Sequence, residues 1–276
     1  VRTQKTPEMG TAEFWYDEKG RIVVSQNAKQ KVTSSTTSSD PEFVLANNTP
    51  YNNYTTASYS YTLYDYLGRP VEAGEVRNSA SMDDNVARSK ASSSLTTWWS
   101  TATNKRQVVS TKYDENIGVS AVATAFGGYG QENLRNRISS VMFEETDDAN
   151  ASTYDNASHY SYDIHGNVKV LVNENAALPV GGQMTKFKKT EYEYDLVSGN
   201  VNAVHYQNAK PDQFHHRYYY DADNRITDVY TSRNAVIWEK EAKYYYYAHG
   251  PMARTEIGDK QVAGQDYVYT LQGWIK

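Results

Sequence analysis

The sequence predicts an all-β protein, made of repeated antiparallel β-hairpins lying edge to edge in a curved sheet. Three observations predict this. A short unit, Tyr-Asp-x-x-Gly-Arg followed by an apolar residue, recurs along the 276 residues. Aromatic residues ahead of each unit stand two apart, the spacing of side chains that share one face of a strand. The chain also holds 25 Tyr while Ile, Leu, Val and Phe together make up only about one residue in six. A disordered chain is poor in aromatics as well as in aliphatics, so this composition describes a folded chain whose apolar surface is tyrosine.

The units run in order. FWYDEKGRIVV supplies Tyr16, Asp17, Gly20 and Arg21, and LYDYLGRPVEA supplies Tyr64, Asp65, Gly68 and Arg69. HYSYDIHGNVKVLV supplies Tyr162, Asp163, Gly166 and Asn167. EYEYDLVSGNVNAV, with one extra turn residue, supplies Tyr194, Asp195, Gly199 and Asn200, and YYYDADNRITDVY supplies Tyr220, Asp221, Asn224 and Arg225. Two weaker copies are Tyr113-Asp114, which lacks the Gly-Arg, and YYYYAHGPMAR, where Tyr247 precedes His249-Gly250 in a shifted loop. A third trace, Asn136-Arg137-Ile138, has no Tyr-Asp of its own. Successive Tyr are 48, 49, 49, 32, 26 and 27 residues apart, so the basic period is the short one and the early spacings are near-doubles. The region 1–276 therefore reads as one repeat array, eroded over 1–153 and well preserved over 154–276.

Each unit makes a hairpin for local reasons. Phe14 and Tyr16, Tyr160 and Tyr162, Tyr192 and Tyr194, and Tyr218 and Tyr220 mark one face of the incoming strand. Asp opens the turn by accepting a backbone N–H two residues on. Gly or Asn three residues after Asp suits the left-handed position of a hairpin closed by a type I turn. β-formers then resume, as in Val168 to Val172. Side-by-side stacking predicts Tyr against Tyr between neighbouring units, an Arg or Asn facing the Asp across each turn, and a wall without a compact aliphatic centre. Two Ser/Thr-rich insertions, 31–58 and 78–104, interrupt the array, the second with a short helix near Asp84–Leu95.

Composition excludes several classes. No run approaches 18 apolar residues, so no membrane-spanning helix is expected. There is no cysteine, which removes disulfides, thiolate nucleophiles and Cys-ligated metal. A net charge of -5 argues against nucleic acid as a partner. The N-terminus shows no signal core, and both ends read as cuts within a longer polypeptide.

Residues able to carry chemistry have plainer explanations. The repeated Asp carboxylates hold equivalent turn positions rather than flanking a cleft as a glycosidase pair does. Residues 144–150, followed by Asp155 and Asn156, form an acidic stretch without the ligand spacing of a calcium loop. Of six histidines, His159 and His205 stand alone, His165 and His249 precede turn glycines, and the adjacent His215 and His216 face opposite sides of a strand. No cofactor motif, metal set or Gly-x-Ser-x-Gly elbow is present, and Gly127-Gly128-Tyr129-Gly130 lacks the Lys of a phosphate loop. Trp98-Trp99 offers either a sugar-stacking platform or an anchor holding an insertion to the sheet, and Tyr244 to Tyr247 fill both faces of one strand.

These units, with segments such as NLRNRISSVMF, IWEKEAKYYYYAHGPMARTE and YTLQGWIK, make the sequence resemble the bacterial RHS/YD-repeat family over nearly its whole length. The resemblance implies a β-ribbon spiralling into a hollow shell that encloses a toxic C-terminal domain of the same polypeptide, in a secreted or cell-surface protein. It implies partners within that polypeptide, further repeats and a cargo domain, together with secretion machinery. Nothing here matches the family's self-cleaving core, so no catalytic residue is carried over and the expectation is a non-enzymatic module. The alternative is an exported adhesin or carbohydrate-binding repeat protein with surface glycans as its partners.

Overall fold

The computed structural model describes residues 2–6, 10–28, 30–31, 57–88, 93–128, 130–146, 154–178 and 186–276. Most of the insertion at 31–58 and part of the acidic stretch at 144–150 lie outside these residues. The described chain is all-β and antiparallel, with each strand hydrogen-bonded to its neighbours in sequence. It divides into two compact units, Val1–Lys112 with Val141–Ala157, and Tyr113–Ser140 with Ser158–Lys276.

The first unit begins with β1 (Arg2–Thr6), β2 (Gly10–Tyr16) and β3 (Ile22–Gln26), continues with β4 (Ala57–Tyr64) and β5 (Pro70–Asn78), and carries helices α1 (Asp84–Ala87) and α2 (Ser93–Ser100). β2 pairs with β3 and β4 with β5, each couple closed by a Tyr-Asp unit. The single helix expected near Asp84–Leu95 is two short ones. Asp83 caps α1 by accepting the Val86 N–H at 2.8 Å. α2 places Leu95, Trp98 and Trp99 at the three- and four-residue spacing of one helix face. That face packs on the sheet, with Trp98 edge-on to Tyr59 at 5.3 Å and Trp99 edge-on to Tyr61 at 4.5 Å. Trp15, Val24, Tyr59, Tyr61, Val76, Met82 and Trp98 are buried together. A compact centre therefore exists in this unit, against expectation, and it is largely aromatic. The reason is the insertion, which folds back as helices and supplies a second layer.

The next strands are β6 (Thr103–Tyr113) and β7 (Ile138–Thr146), with α3 (Ser120–Ala125) between them. The second unit continues through β8 (Asn156–Tyr162), β9 (Val168–Asn175), β10 (Phe187–Tyr194), β11 (Val201–Tyr206), β12 (Phe214–Tyr220), β13 (Ile226–Ser232), β14 (Glu239–Tyr246), β15 (Met252–Ile257) and β16 (Ala263–Asp266). Burial alternates along β8, where Ala157, His159 and Ser161 are buried at every second residue. The most enclosed positions of this unit include Val172 but also Ser139, Ser140, His159 and His215, each with no exposed surface. Among the described residues of this unit the buried aliphatic side chains larger than alanine are Val122, Leu134 and Val172.

Candidate functional site: the tyrosine–aspartate corners

The repeated unit is a corner with fixed internal bonding. At Asp17 the backbone N–H donates to the Arg21 carbonyl at 2.9 Å, and Gly20 N–H donates back to the Asp17 carbonyl at 3.1 Å. The same two bonds close the corners at Asp65, Asp163 and Asp221, and also at Asp195, where the extra residue makes Asn200 the acceptor. The pairing register shifts by one at the corner tyrosine, between Trp15 and Tyr16, Leu63 and Tyr64, Glu193 and Tyr194, and Tyr219 and Tyr220. This bulge follows from the left-handed residue, a glycine in four corners and Asn224 at φ +61° in the fifth.

The Asp side chain organises the loop above it. Asp17 Oδ1 accepts the N–H groups of Lys19 and Arg21, at 2.9 and 2.8 Å, while Oδ2 takes the Arg21 guanidinium at 2.7 Å. Asp65 with Arg69 and Asp221 with Arg225 repeat the clasp. Where Arg is replaced, Asn167 Nδ2 donates to Asp163 Oδ2 at 3.0 Å, and at Asp195 the Ser198 hydroxyl takes over. Burial pushes the Asp17 and Asp163 carboxyls up, but the N–H and side-chain donors outweigh it and hold both below the usual carboxylate range. At Asp221 the Arg225 side chain is the leading cause of the same lowering, and at Asp195 the Ser198 N–H. At Asp17, Asp65, Asp163 and Asp221 both oxygens are thus committed to turn structure, and at Asp195 Oδ1 is.

Consecutive corners are locked together, a feature the sequence reading missed. The Tyr64 hydroxyl donates to the carbonyl of Ile22, the first strand residue after the preceding corner, at 2.9 Å. Tyr162 does the same to Ile138, Tyr194 to Val168, Tyr220 to Val201 and Tyr246 to Ile226, all between 2.7 and 2.9 Å. The preceding Arg lies over the same ring, Arg21 at 4.3 Å from the Tyr64 centroid and Arg225 at 4.6 Å from that of Tyr246. The Tyr–Tyr contact expected between neighbouring units occurs where Tyr247 lies edge-on to Tyr269 at 6.3 Å, while at the five corners above the cross-repeat lock takes its place. Stacked pairs do occur, but along one strand, as in Tyr160–Tyr162 and Tyr192–Tyr194.

The lock also corrects three assignments. Tyr246, not Tyr247, is the corner tyrosine of the seventh unit, and Tyr247 sits in the aspartate seat. Its N–H donates to the Pro251 carbonyl and Gly250 N–H donates back to it, both at 2.9 Å, so the loop is not shifted. Tyr113-Asp114 and Asn136-Arg137-Ile138 are one corner rather than two remnants, because Asp114 N–H donates to Arg137 O at 3.1 Å and Asp114 Oδ1 accepts Asn136 N–H at 2.6 Å. Residues 115–135, α3 included, are an insertion in its turn. An eighth corner closes at Thr270, whose Oγ1 accepts Trp274 N–H at 3.1 Å while Gly273 takes the left-handed seat at φ +84°.

The other sequence candidates find ordinary places. Trp98 is 4% exposed and donates its indole N–H to the Ala80 carbonyl at 2.9 Å, so it anchors the insertion rather than forming a sugar platform. Asp155 Oδ2 is taken by Glu145 N–H at 2.8 Å. His215 and His216 do face opposite sides, His216 stacking on Tyr218. Among the described residues no group of three or more His, Cys, Asp or Glu is arranged to hold a metal, and no helix is long and apolar enough to cross a membrane.

No family model and no curated protein matches this sequence. Solved structures do. The chain is similar in fold to part of the crystal structure of TcdB2-TccC3, with a TM-score of 0.55 at 11% identity over 99% of this chain. It matches TcdB2-TccC3-TEV with a TM-score of 0.54 at 10% identity over 97% of this chain. In both cases it spans 10% of the length of the matched chain. At such identity the likeness is one of fold.

Proposed function

We propose that this chain is a non-enzymatic wall module of an RHS-type secreted or cell-surface protein, part of a β-shell enclosing a C-terminal toxin or effector domain of the same polypeptide. The observation that carries the reading is the lock between corners. Five corners spend their tyrosine hydroxyl on holding the preceding repeat, and the Asp carboxylates accept inside their own turns. Side chains used this way build a wall of interlocked hairpins. The fold likeness to TcdB2-TccC3 and the YD-repeat resemblance of the sequence both support the reading.

The test is protease protection in the natural full-length polypeptide. Enclosure predicts that segments following the repeats resist digestion until corner substitutions such as Tyr194→Phe with Tyr220→Phe loosen the wall. Digestion of those segments at the same rate with and without an intact wall refutes enclosure, and saturable glycan binding by the intact protein supports the adhesin alternative instead.

A further inference from the structure

His205 on β11 stands directly opposite His215 on β12, and their Nδ1 atoms face each other at 2.8 Å. Each outer nitrogen has an acceptor within reach. His205 Nε2 lies 3.3 Å from Glu193 Oε1, a carboxylate that only accepts. His215 Nε2 lies 3.4 Å from Gln213 Oε1, and that amide is oriented because the same oxygen accepts Ala209 N–H at 3.0 Å. With both Nε2 atoms carrying hydrogen, both Nδ1 atoms present lone pairs to one point. Two lone pairs at this distance repel unless a cation sits between them.

We propose that His205 and His215 form a two-histidine site for a first-row transition-metal ion of the Zn²⁺ class, bound through the two Nδ1 atoms. Metal-ligating histidines characteristically donate their other N–H to a carboxylate or carbonyl, which is the arrangement Glu193 and Gln213 provide here. Tetrahedral zinc with bonds of about 2.0–2.1 Å places two nitrogens roughly 3.3 Å apart. The rings therefore open by about half an ångström, a small side-chain rotation for imidazoles already inclined at 61°. Two coordination positions remain for water or an outside ligand, reached from the His205 side, whose side chain is 17% exposed.

A metal bound through histidine nitrogens competes with protons for the same lone pairs, so its binding strengthens as pH rises. The charged and titratable groups around the pair are Glu193 and Glu191 on β10 and His216 beside His215. Glu191 stands opposite His205 and is paired with Lys189 Nζ at 2.9 Å. On its other side His215 faces Ser232 of β13, which does not titrate.

The test is calorimetric titration of the chain with ZnCl₂ at pH 6 and pH 8, with His side-chain ¹⁵N spectra of the unsubstituted protein alongside. One ion per chain is expected, bound more tightly at pH 8, with proton release and a shift confined to the Nδ1 signals of two histidines. His205→Gln and His215→Gln each weaken it by at least about tenfold, Glu193→Gln by less, and His249→Gln leaves it unchanged. Zinc binding that survives both histidine substitutions overturns the proposal. So does an Nδ1–H–Nδ1 proton in the spectra that excess zinc fails to displace, and that readout needs no variant to fold.

Discussion

A methyl group added at Gly166 tests both the corner geometry and the lock between corners. Gly166 has φ +99°, and a Cβ built there comes within 2.7 Å of Arg137 Nη2 and 3.3 Å of its Cζ. Gly199 has φ +75° and the equivalent place in the next corner, but nothing lies within 4 Å of its Cβ position. Gly199→Ala therefore costs the left-handed backbone penalty alone, about 1–2 kcal/mol. Gly166→Ala costs that and also drives the Arg137 guanidinium away. Arg137 then leaves the Tyr162 ring, whose centroid is 5.4 Å away, and the Asn133 carbonyl, which it now donates to at 2.6 Å. Those contacts contribute roughly 0.5–1 and 1.5–3 kcal/mol, and since the side chain regains water we expect an excess of about 1–2 kcal/mol over Gly199→Ala. Urea unfolding followed by far-ultraviolet circular dichroism measures it. In an Arg137→Ala background the excess should vanish, giving a coupling of about 1 kcal/mol or more. Equal costs for the two glycines, or additive behaviour of Gly166→Ala with Arg137→Ala, refute the idea that this arginine lies over the next corner.

Tyr194→Phe removes the hydroxyl that reaches Val168 O; it should lower stability by about 1–1.5 kcal/mol, and amide exchange should accelerate where β9 meets β10. Trp98→Ala empties the centre of the first unit and strands the Ala80 carbonyl; a loss of about 3–5 kcal/mol is expected in thermal or urea melts, and a loss under 1 kcal/mol argues against α2 packing on the sheet. Acid should destabilise the protein in two stages. His159 is buried against Ser140 and Glu174, and burial outweighs the Glu174 contact to depress its pKa, so it contributes stability fully present above the unfolded value of about 6.5 and lost as pH falls below it. The corner aspartates are depressed too; their contribution is intact above about pH 4 and is lost as pH falls through their lower folded values. Urea midpoints from pH 8 to 3 should show both steps, and His159→Gln should shrink the first, to which the buried His215 and the half-buried His216 also contribute.

The corners were legible because their causes are local. Asp, the left-handed Gly or Asn and the returning β-formers all lie within six residues, so a periodic reading finds them. What escaped is whatever depends on register across strands. The four consecutive tyrosines at 244–247 hide which one turns the corner, and only the Tyr246 bond to Ile226 decides it. Asp114 and Asn136 are 22 residues apart and meet only because an insertion closes on itself. His215 was weighed against its chain neighbour His216, whereas its partner is His205 across the ladder. Helix α2 was half visible, since Leu95, Trp98 and Trp99 carry helical spacing inside an otherwise loop-like stretch.

The lock has a direction. A hydroxyl donated from a later repeat to an earlier one, at Tyr194 to Val168, Tyr220 to Val201 and Tyr246 to Ile226, means that each hairpin is fastened only when its successor arrives. A chain emerging from the ribosome meets these partners in that order. Assembly then advances like a zip drawn from one end, each newly made hairpin latching the one before it, and unravelling from the late end undoes one fastening at a time.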